Sequence, residues 1–385
     1  MYCVLLLSYS VNAADRQLFP LLAHDVRRDY GFSLANTGLL STIFTLGLAV
    51  AGLPTGYLLA HFPRKRVLLL GIAIFSSGTA LTVFATGFRD MLIYLAATGV
   101  GEAMQLTVMI AIAANYFIHY RAAAIGSMNV FFGLGAFTGP ILGSFLLTEY
   151  RSWRAPMIAF GLLGYLMIGL IALTVRPWFS EAHRAADART NSSGATTLLN
   201  RNTVLLTILS IIGGLVLFGY SGMYPTFLRE DLRYSPQAAG VVMSFYGVGA
   251  LVSIAGGWLG DRFSPRLVLS AAFFFIAGIG YLFFHGARAF LPQAILSCGY
   301  GAIGSGTIYV NLAAYHVKAL RSSLSNRGSG MFVTGFYTSA AFAGYLMGAI
   351  VSHAGWAAAG EIQISLLSVI AGCLALALRP DQMAL

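Results

Sequence analysis

Charge is what this sequence has least of. Of its 385 residues only 9% are Asp, Glu, Lys or Arg, against roughly a quarter in an ordinary soluble domain, while 58% are hydrophobic. That composition excludes a soluble domain of any size and is that of a membrane protein. Cysteine is scarce too. Cys3, Cys298 and Cys373 lie far apart in apolar surroundings with no CxxC or metal spacing, so they are expected to be packing residues. There is no Walker A lysine loop, no H-E-x-x-H, no G-x-S-x-G and no heptad run, and the 7 histidines show no metal spacing. Nothing therefore points to an ATP-driven pump, a membrane-embedded enzyme, a metal or a cofactor.

What the chain has in abundance is apolar runs. A spanning helix needs about 20 mostly apolar residues, and such runs recur from residue 1 to residue 378. Turn residues and charges place helices at 2–24, 34–60, 66–87, 90–117, 122–148 and 156–176, then at 202–228, 236–260, 267–286, 290–316, 326–351 and 355–378. Met1 to Ala14 resembles a signal peptide in apolarity but lacks a basic start, and hydrophobicity resumes after Asp15 and Arg16, so it reads as the beginning of helix 1. The longest polar stretch, 177–201, divides a first six-helix bundle, 1–176, from a second, 202–385. The expected fold class is an all-α polytopic membrane protein of twelve transmembrane helices in two halves.

The net charge of +10 sits in the breaks between helices, which argues against nucleic acid as a partner. With the N-terminus taken as cytoplasmic, alternate connections hold Arg64, Lys65, Arg66, Arg121, Arg176, Arg184, Arg189, Arg201, Arg262, Arg266, Lys318, Arg321 and Arg327, with Arg379 in the tail. The opposite connections hold Arg27, Arg28, Arg89, Arg151, Arg154, Arg229, Arg233 and Arg288, nearly matched by Asp25, Asp29, Asp90, Glu149, Glu230 and Asp231. Lys and Arg in short loops set orientation, so both termini and the linker are expected in the cytoplasm, the lipid being that of a bacterial inner membrane.

The halves look alike at matching places. Gly99-Val100-Gly101 recurs as Gly299-Tyr300-Gly301, Gly139 and Gly143 match Gly344 and Gly348, and Trp153 matches Trp356 before the last helix of each half. Internal repeats of this kind mark transporter architectures. Glycine, at 44 residues, clusters in helices 2, 4, 5, 8, 10 and 11, where small side chains let packed helices approach and rock against one another.

The connection after helix 8, Gly257-Trp258-Leu259-Gly260-Asp261-Arg262-Phe263-Ser264-Pro265-Arg266, resembles the G-x-x-x-D-R-x-x-x-R loop of the major facilitator superfamily. An aspartate at a helix end can hold nearby arginines and latch a bundle on the cytoplasmic side, so Asp261, Arg262 and Arg266 are the expected gating residues. The first-half counterpart keeps Gly56, Arg64, Lys65 and Arg66 but has Ala60 and His61 where the family has Asp and Arg. Helix 5, with Gly126, Gly135, Gly139-Pro140 and Gly143, resembles the superfamily's glycine-proline motif.

Within the superfamily, Asn12-Ala13-Ala14-Asp15-Arg16 and Gly99-Val100-Gly101-Glu102-Ala103 resemble signatures shared by two branches, the anion:cation symporters and the spinster-like lysolipid transporters. Both branches usually carry an arginine where this chain has Leu95. A second buried cation is missing, which disfavours tight dicarboxylate binding. The resemblance implies the major facilitator fold and a monomeric secondary transporter working by alternating access. Its expected partners are protons and a small organic anion taken up by symport, or alternatively a lysolipid or other amphiphile entering through a lateral opening.

Ionisable groups deep in a membrane are costly and tend to serve a pathway or a partner, and Asp15, Arg16, Glu102 and Glu361 stand out. Positions three or four apart share a helix face. Tyr9, Asn12, Arg16 and Phe19 therefore form one stripe, with Asp15 at its border, and Thr98, Glu102, Gln105, Met109 and Tyr116 form another. Asp15 and Arg16 read either as an ion pair pinning helix 1 or as a binding pair. Glu102 reads as a neutral carboxyl hydrogen-bonded to backbone, with Gln105 one turn on as a polar partner, or as a group that gains and loses a proton, and Glu361 as interfacial. The second half offers Tyr220 and Tyr224 before Pro225, then Tyr300, Thr307, Asn311 and Tyr315, then Tyr337 and Tyr345, a pattern also compatible with packing or an interface belt. The expected site is Glu102 and Asp15 for protons, with Arg16, Asn12, Gln105, Tyr220, Tyr224, Tyr300, Asn311 and Tyr337 for substrate. A charged wall facing a polar-aromatic one suits a solute with one anionic end and an apolar or hydroxylated body.

Overall fold

The computed structural model describes residues 1–117, 120–181, 195–286, 288–321 and 324–383. Among these there is no β-strand, and twelve spans can be followed. In the first half they are α1 (Tyr2–Tyr30), the bent series α2 (Leu34–Thr42), α3 (Phe44–Val50) and α4 (Gly52–His61), then α5 (Arg64–Leu81), α6 (Phe88–Tyr116), α7 (Arg121–Tyr150) and α8 (Arg154–Thr174), with a short α9 (Pro177–Ser180) after them. The second half has α10 (Arg201–Glu230), then α11 (Pro236–Ala250) continued by α12 (Ser253–Arg262), and α13 (Pro265–His285). α14 (Phe290–Tyr300) runs through π-helical turns at Gly301–Tyr309 into α15 (Val310–Lys318). α16 (Ser325–Ala359) runs through a second π-helical stretch, Gly360–Leu366, into α17 (Leu367–Ala375).

Local chemistry explains the ends and breaks. Ser33 and Ser235 cap α2 and α11 by accepting from the Asn36 and Ala238 N–H groups at 3.2 Å, so the repeat extends to the caps. α2–α4 bends by 47° ahead of Pro54. α16 contains Gly355 at φ 81°, a left-handed residue that turns the chain back and separates the last two spans. α1 runs to Tyr30, beyond the expected 24, because Asp25, Arg27 and Asp29 find partners on neighbouring helices; it stops on Gly31 at φ 70°. Large apolar side chains such as Phe84, Leu173, Leu162 and Phe275 are exposed around the outside, the arrangement of a protein solvated by lipid. Cys3 and Cys373 are exposed on that face as well, and only Cys298 is partly packed, which corrects the expectation that all three are packing residues.

The halves meet along three seams. α2 packs along α16, α7 along α11, and α1 along α10. At the first seam Gly38 faces Gly344 so closely that a Cβ on either would land on the other's backbone carbonyl. Thr42 Oγ1 then donates across the seam to Ala341 O at 2.8 Å and accepts from Gly344 N–H at 3.3 Å. In α7 and α11, a Cβ on Gly247 would meet the Phe137 backbone, and one on Gly240 would meet Ser144 and the Pro140 carbonyl. Ion pairs finish the α1–α10 seam. Glu230 accepts Arg27 Nη1 at 2.6 Å and lies 3.2 Å from His24 Nδ1, and Arg229 Nη2 lies 3.5 Å from Asp25 Oδ1. The ion pairs and the Gly38–Gly344 contact lie toward the end of the molecule that carries residues 25–33 and 229–235, the closed end, while the Gly247–Phe137 contact sits near mid-span. At the opposite end α4 and α12 pack on helices of their own halves.

Of the stretch 177–201, residues 182–194 lie outside the described residues, and with them His183, Arg184 and Arg189; His119 does too. Each flank holds onto one half. Glu181 caps α5, its carboxylate accepting the Arg64 and Lys65 N–H groups at 2.9 and 3.1 Å, while Ala195 pairs by backbone with Ala319 and Arg321, both at 3.1 Å.

Candidate functional site

The glycines of the Gly99–Ala103 motif place the first functional carboxylate. A Cβ on Gly99 would strike the Phe44 carbonyl of α3, and one on Gly101 the backbone of Gly71 and Phe75 in α5. α6 is thereby gripped on two sides, and Glu102, 1% exposed, is aimed at α1. There Arg16 Nε lies 3.1 Å from Glu102 Oε2 and donates to Asn12 Oδ1 at 3.0 Å. Asn12 Nδ2 in turn donates to Gln105 Oε1 at 2.9 Å, and Gln105 Nε2 to Ser8 Oγ at 3.0 Å. The two expected stripes thus meet as one chain of polar groups between α1 and α6.

Two pairings differ from the sequence expectation. Arg16 is neutralised by Glu102 across helices; Asp15 points to α5, where it accepts Thr79 Oγ1 at 2.8 Å. Gln105 serves Asn12 and Ser8, and its amide is not the partner of the Glu102 carboxylate. The first outcome follows from adjacency on a helix: neighbours in sequence point about 100° apart, so Asp15 and Arg16 reach different helices. Asp15 Oδ1 and Arg16 Nη2 are buried with no hydrogen-bond partner, and they border a gap of about 10 Å³ shared with Glu102 and Thr98.

On the other side of the Arg16–Glu102 pair lies a central cavity, about 360 Å³, between the halves. The first half lines it with Tyr9, Arg16, Gln17, Ser41, Phe44, Leu106, Ile110, Asn129 and Phe132, and the second with Phe218, Ser221, Tyr246, Ser253, Ser305, Tyr309, Phe336 and Tyr337, among others. Arg16 is the one cation on this wall among the described residues. Opposite it, Tyr309 and Tyr337 share a hydrogen bond of 2.7 Å between their hydroxyls. Ser41, at the closed end, is 1% exposed, whereas Ile110 toward the α4/α12 end is 39% exposed, so the cavity opens at that end.

Several expected substrate residues lie elsewhere. Tyr220, Tyr224 and Tyr300 stack with Phe283 inside the second half, ring centroids 4.2 to 4.7 Å apart along the tyrosine stack, their hydroxyls engaged by Ser297, Gln293 and the Val216 carbonyl. Asn311 donates to the Gly256 and Thr307 carbonyls, both at 2.9 Å, and Tyr315 to the Gly260 carbonyl at 3.1 Å, pinning α12 to the tenth span. The cause is the π-helical stretch Gly301–Tyr309. Its wider turn shifts the register, so the regular helical spacing that selects Tyr300 and Asn311 misses Tyr309 and Ser305, which face the cavity. Tyr246 and Gln17 carried no sequence signal beyond their residue types. The Thr307 hydroxyl donates to Ala302 O, five residues back, at 3.2 Å, and Tyr345 is exposed on the outside.

At the open end, Asp261 Oδ1 takes Lys318 Nζ at 2.7 Å, while Arg262 lies over Trp258 and Arg266 is exposed. The aspartate of the loop motif therefore ties α12 to α15 inside the second half. Glu361 is half exposed and 3.0 Å from His285 Nε2. Trp153 Nε1 donates to Asp29 Oδ2 at 2.8 Å. Among the described residues no three His, Cys, Asp or Glu side chains converge as a metal site would require.

The chain is similar to the spinster protein of Drosophila melanogaster, 25% identical over 257 residues that cover 64% of this chain and 42% of the fly protein. It is likewise similar to the gallate transporter of Pseudomonas putida, 25% identical over 291 residues, 67% of this chain and 65% of that one. It thus spans less than two thirds of the length of either relative. Among solved structures, a bacterial homolog of the human lysosomal transporter spinster, in an inward-facing and occupied conformation, superposes with a TM-score of 0.71 at 16% identity, covering 98% of this chain and 94% of that one. The fold is therefore shared well beyond what identity alone would reveal. The sequence model of the Major Facilitator Superfamily matches residues 5–344, across both halves and every feature of the cavity up to the Gly38–Gly344 seam, and the chain belongs to that superfamily.

Proposed function

We propose that the protein is a secondary transporter that takes up a small organic anion with protons, alternating between the state seen here and one open at the opposite end. The observation that carries this reading is a single buried guanidinium on the cavity wall, Arg16, held by a single buried carboxylate, Glu102. An arriving carboxylate and Glu102 compete for the same guanidinium. Protonating Glu102 frees Arg16 for the solute, and losing that proton returns Arg16 to Glu102 and expels the solute, so the two cargoes move together. Asp15, one residue away on the far side of the pair, is a second proton-holding group, and Asn12 and Gln105 hold Arg16 in place.

The walls select the rest of the solute. Phe44, Phe132, Phe218 and Phe336 offer ring faces, and Tyr9, Gln17, Asn129, Tyr309 and Tyr337 offer polar groups. One cation fits a monocarboxylate, and rings with hydroxyls fit an aromatic body; the similar protein from Pseudomonas putida is a gallate transporter. A lysolipid remains the second reading because Leu106, Ile110, Val310 and Ala313 extend the apolar wall toward the open end. Arg64, Lys65, Arg66, Arg262 and Arg266 cluster at that end, which we assign to the cytoplasm.

Proteoliposomes with an imposed pH gradient test the proposal. Benzoate, 4-hydroxybenzoate or gallate should accumulate in a gradient-dependent way. If none does while a short-chain lysolipid is moved, the amphiphile reading replaces it.

A further inference from the structure

A second cavity, of about 570 Å³, lies astride the α1–α10 seam at the closed end, away from the Arg16 site. Its lining includes Arg27, Arg28, Glu230, Asp231, Arg233 and Trp356. The charges do not balance. Glu230 is engaged by Arg27 at 2.6 Å and His24 at 3.2 Å, and Asp231 by Arg288 at 2.8 Å. Arg28 and Arg233 are exposed and have no carboxylate partner among the described residues, and Arg28 lies close enough to Arg229 for the two charges to repel.

Arg233 is also strained. Its backbone sits at φ 59°, in the left-handed region that α1 reaches through Gly31 at φ 70°. A side chain there is sterically costly, and such residues gather where a site needs the group they carry. Here the kept group is a guanidinium at the rim of a cavity, with the Trp356 ring in the lining and Phe32 facing it from the first half.

We infer that this cavity is a capture site for an organic anion, its carboxylate on Arg28 and Arg233 and its apolar body against Trp356 and Phe32. It rests on the reading that the carried solute is an organic anion. The site lies directly over the ion pairs that hold the halves together, where an anion must wait before they part.

The test titrates 4-nitrobenzoate, an aromatic carboxylate that quenches tryptophan emission on contact, into purified full-length protein and, in parallel, into Trp356→Phe. Their difference isolates quenching at Trp356. Saturable quenching is expected there, weakened roughly tenfold or more by Arg28→Gln with Arg233→Gln, and by added salt. Arg16→Gln should leave the Trp356 signal intact while lowering total binding measured by equilibrium dialysis. Loss of that Arg16 effect with the Trp356 signal preserved would sink the central-site reading and leave capture standing. Quenching that is absent, indifferent to Arg28 and Arg233, or dependent on Arg16 overturns capture. Arg233→Gly guards against misfolding: it removes the strain, so it should raise the melting midpoint and still weaken quenching. A higher midpoint with full quenching also overturns the proposal.

Discussion

Removing the ion pairs of the closed seam should drive the protein toward the opposite state. The perturbation is Glu230→Gln with Asp25→Asn, which deletes both carboxylates that bridge α1 and α10. The side chains are largely withdrawn from solvent, 33% and 18% exposed in Arg27–Glu230 and 11% and 12% in Arg229–Asp25. Exposed pairs contribute about 0.2–1 kcal/mol. At the upper end of that range, two pairs give about 2 kcal/mol, or roughly a 30-fold shift in population. The sign is reinforced because Arg27, Arg28 and Arg229 are then left facing one another. Ser41→Cys reads the shift, in a background with Cys3, Cys298 and Cys373 replaced by alanine, since Ser41 lines the cavity beneath the seam and is 1% exposed. A membrane-impermeant thiol reagent applied from the closed-end side should modify it roughly 30-fold faster in the double variant. The control is Asp29→Asn, whose partners Arg154 and Trp153 belong to the same half. An unchanged rate in the double variant, or an equal rise in the control, would refute a lock made of cross-half pairs.

Glu102→Gln, which mimics the protonated acid, should abolish accumulation driven by a pH gradient yet spare counterflow, because exchange returns the carrier loaded; wild-type accumulation would remove Glu102 from coupling and shift attention to Asp15. Arg16→Lys keeps the charge but loses both the Nε–H that faces Asn12 and Glu102 and the planar fork left for a solute carboxylate, so solute affinity should fall roughly tenfold or more by equilibrium dialysis; full affinity in Arg16→Ala would exclude the guanidinium from binding. Gly38→Val should prevent α2 from seating on α16 and raise modification of Ser41→Cys from the closed-end side; a rate unchanged from the parent would mean that the backbone contact does not hold the seam. Reporter fusions at Ser264 and Ser235 should score as cytoplasmic and external respectively, and the reverse result would invert the orientation assigned from basic loops.

Much of this was legible in the sequence because lipid leaves few alternatives: backbone groups must be satisfied within helices, so apolar length and polar breaks locate the spans. The buried charges were equally visible, since Asp15, Arg16 and Glu102 interrupt otherwise apolar runs. Who partners whom was not. Asp15 and Arg16 are adjacent in sequence yet serve different helices, and the pairing of Asn12 with Gln105 depends on the depth at which α1 crosses α6, which neither stripe records. The second-half wall was misplaced for a backbone reason, because a wider turn between Gly301 and Tyr309 breaks the periodicity on which any face assignment rests. The paired ends of α1 and α10 read as loop charges because their partners lie some 200 residues away.

The seam between Gly38 and Gly344 has a mechanical consequence. Two surfaces of nearly bare backbone meet there, bridged by one threonine hydroxyl. Interdigitated side chains would have to withdraw from one another and change rotamer before separating, and would have to find the same arrangement on return. Smooth surfaces part and rejoin by sliding, with little friction and no memory of the previous cycle. The seam can therefore be tight without being slow, which in the proposed cycle leaves the timing of each turn to the ion pairs of the neighbouring α1–α10 seam.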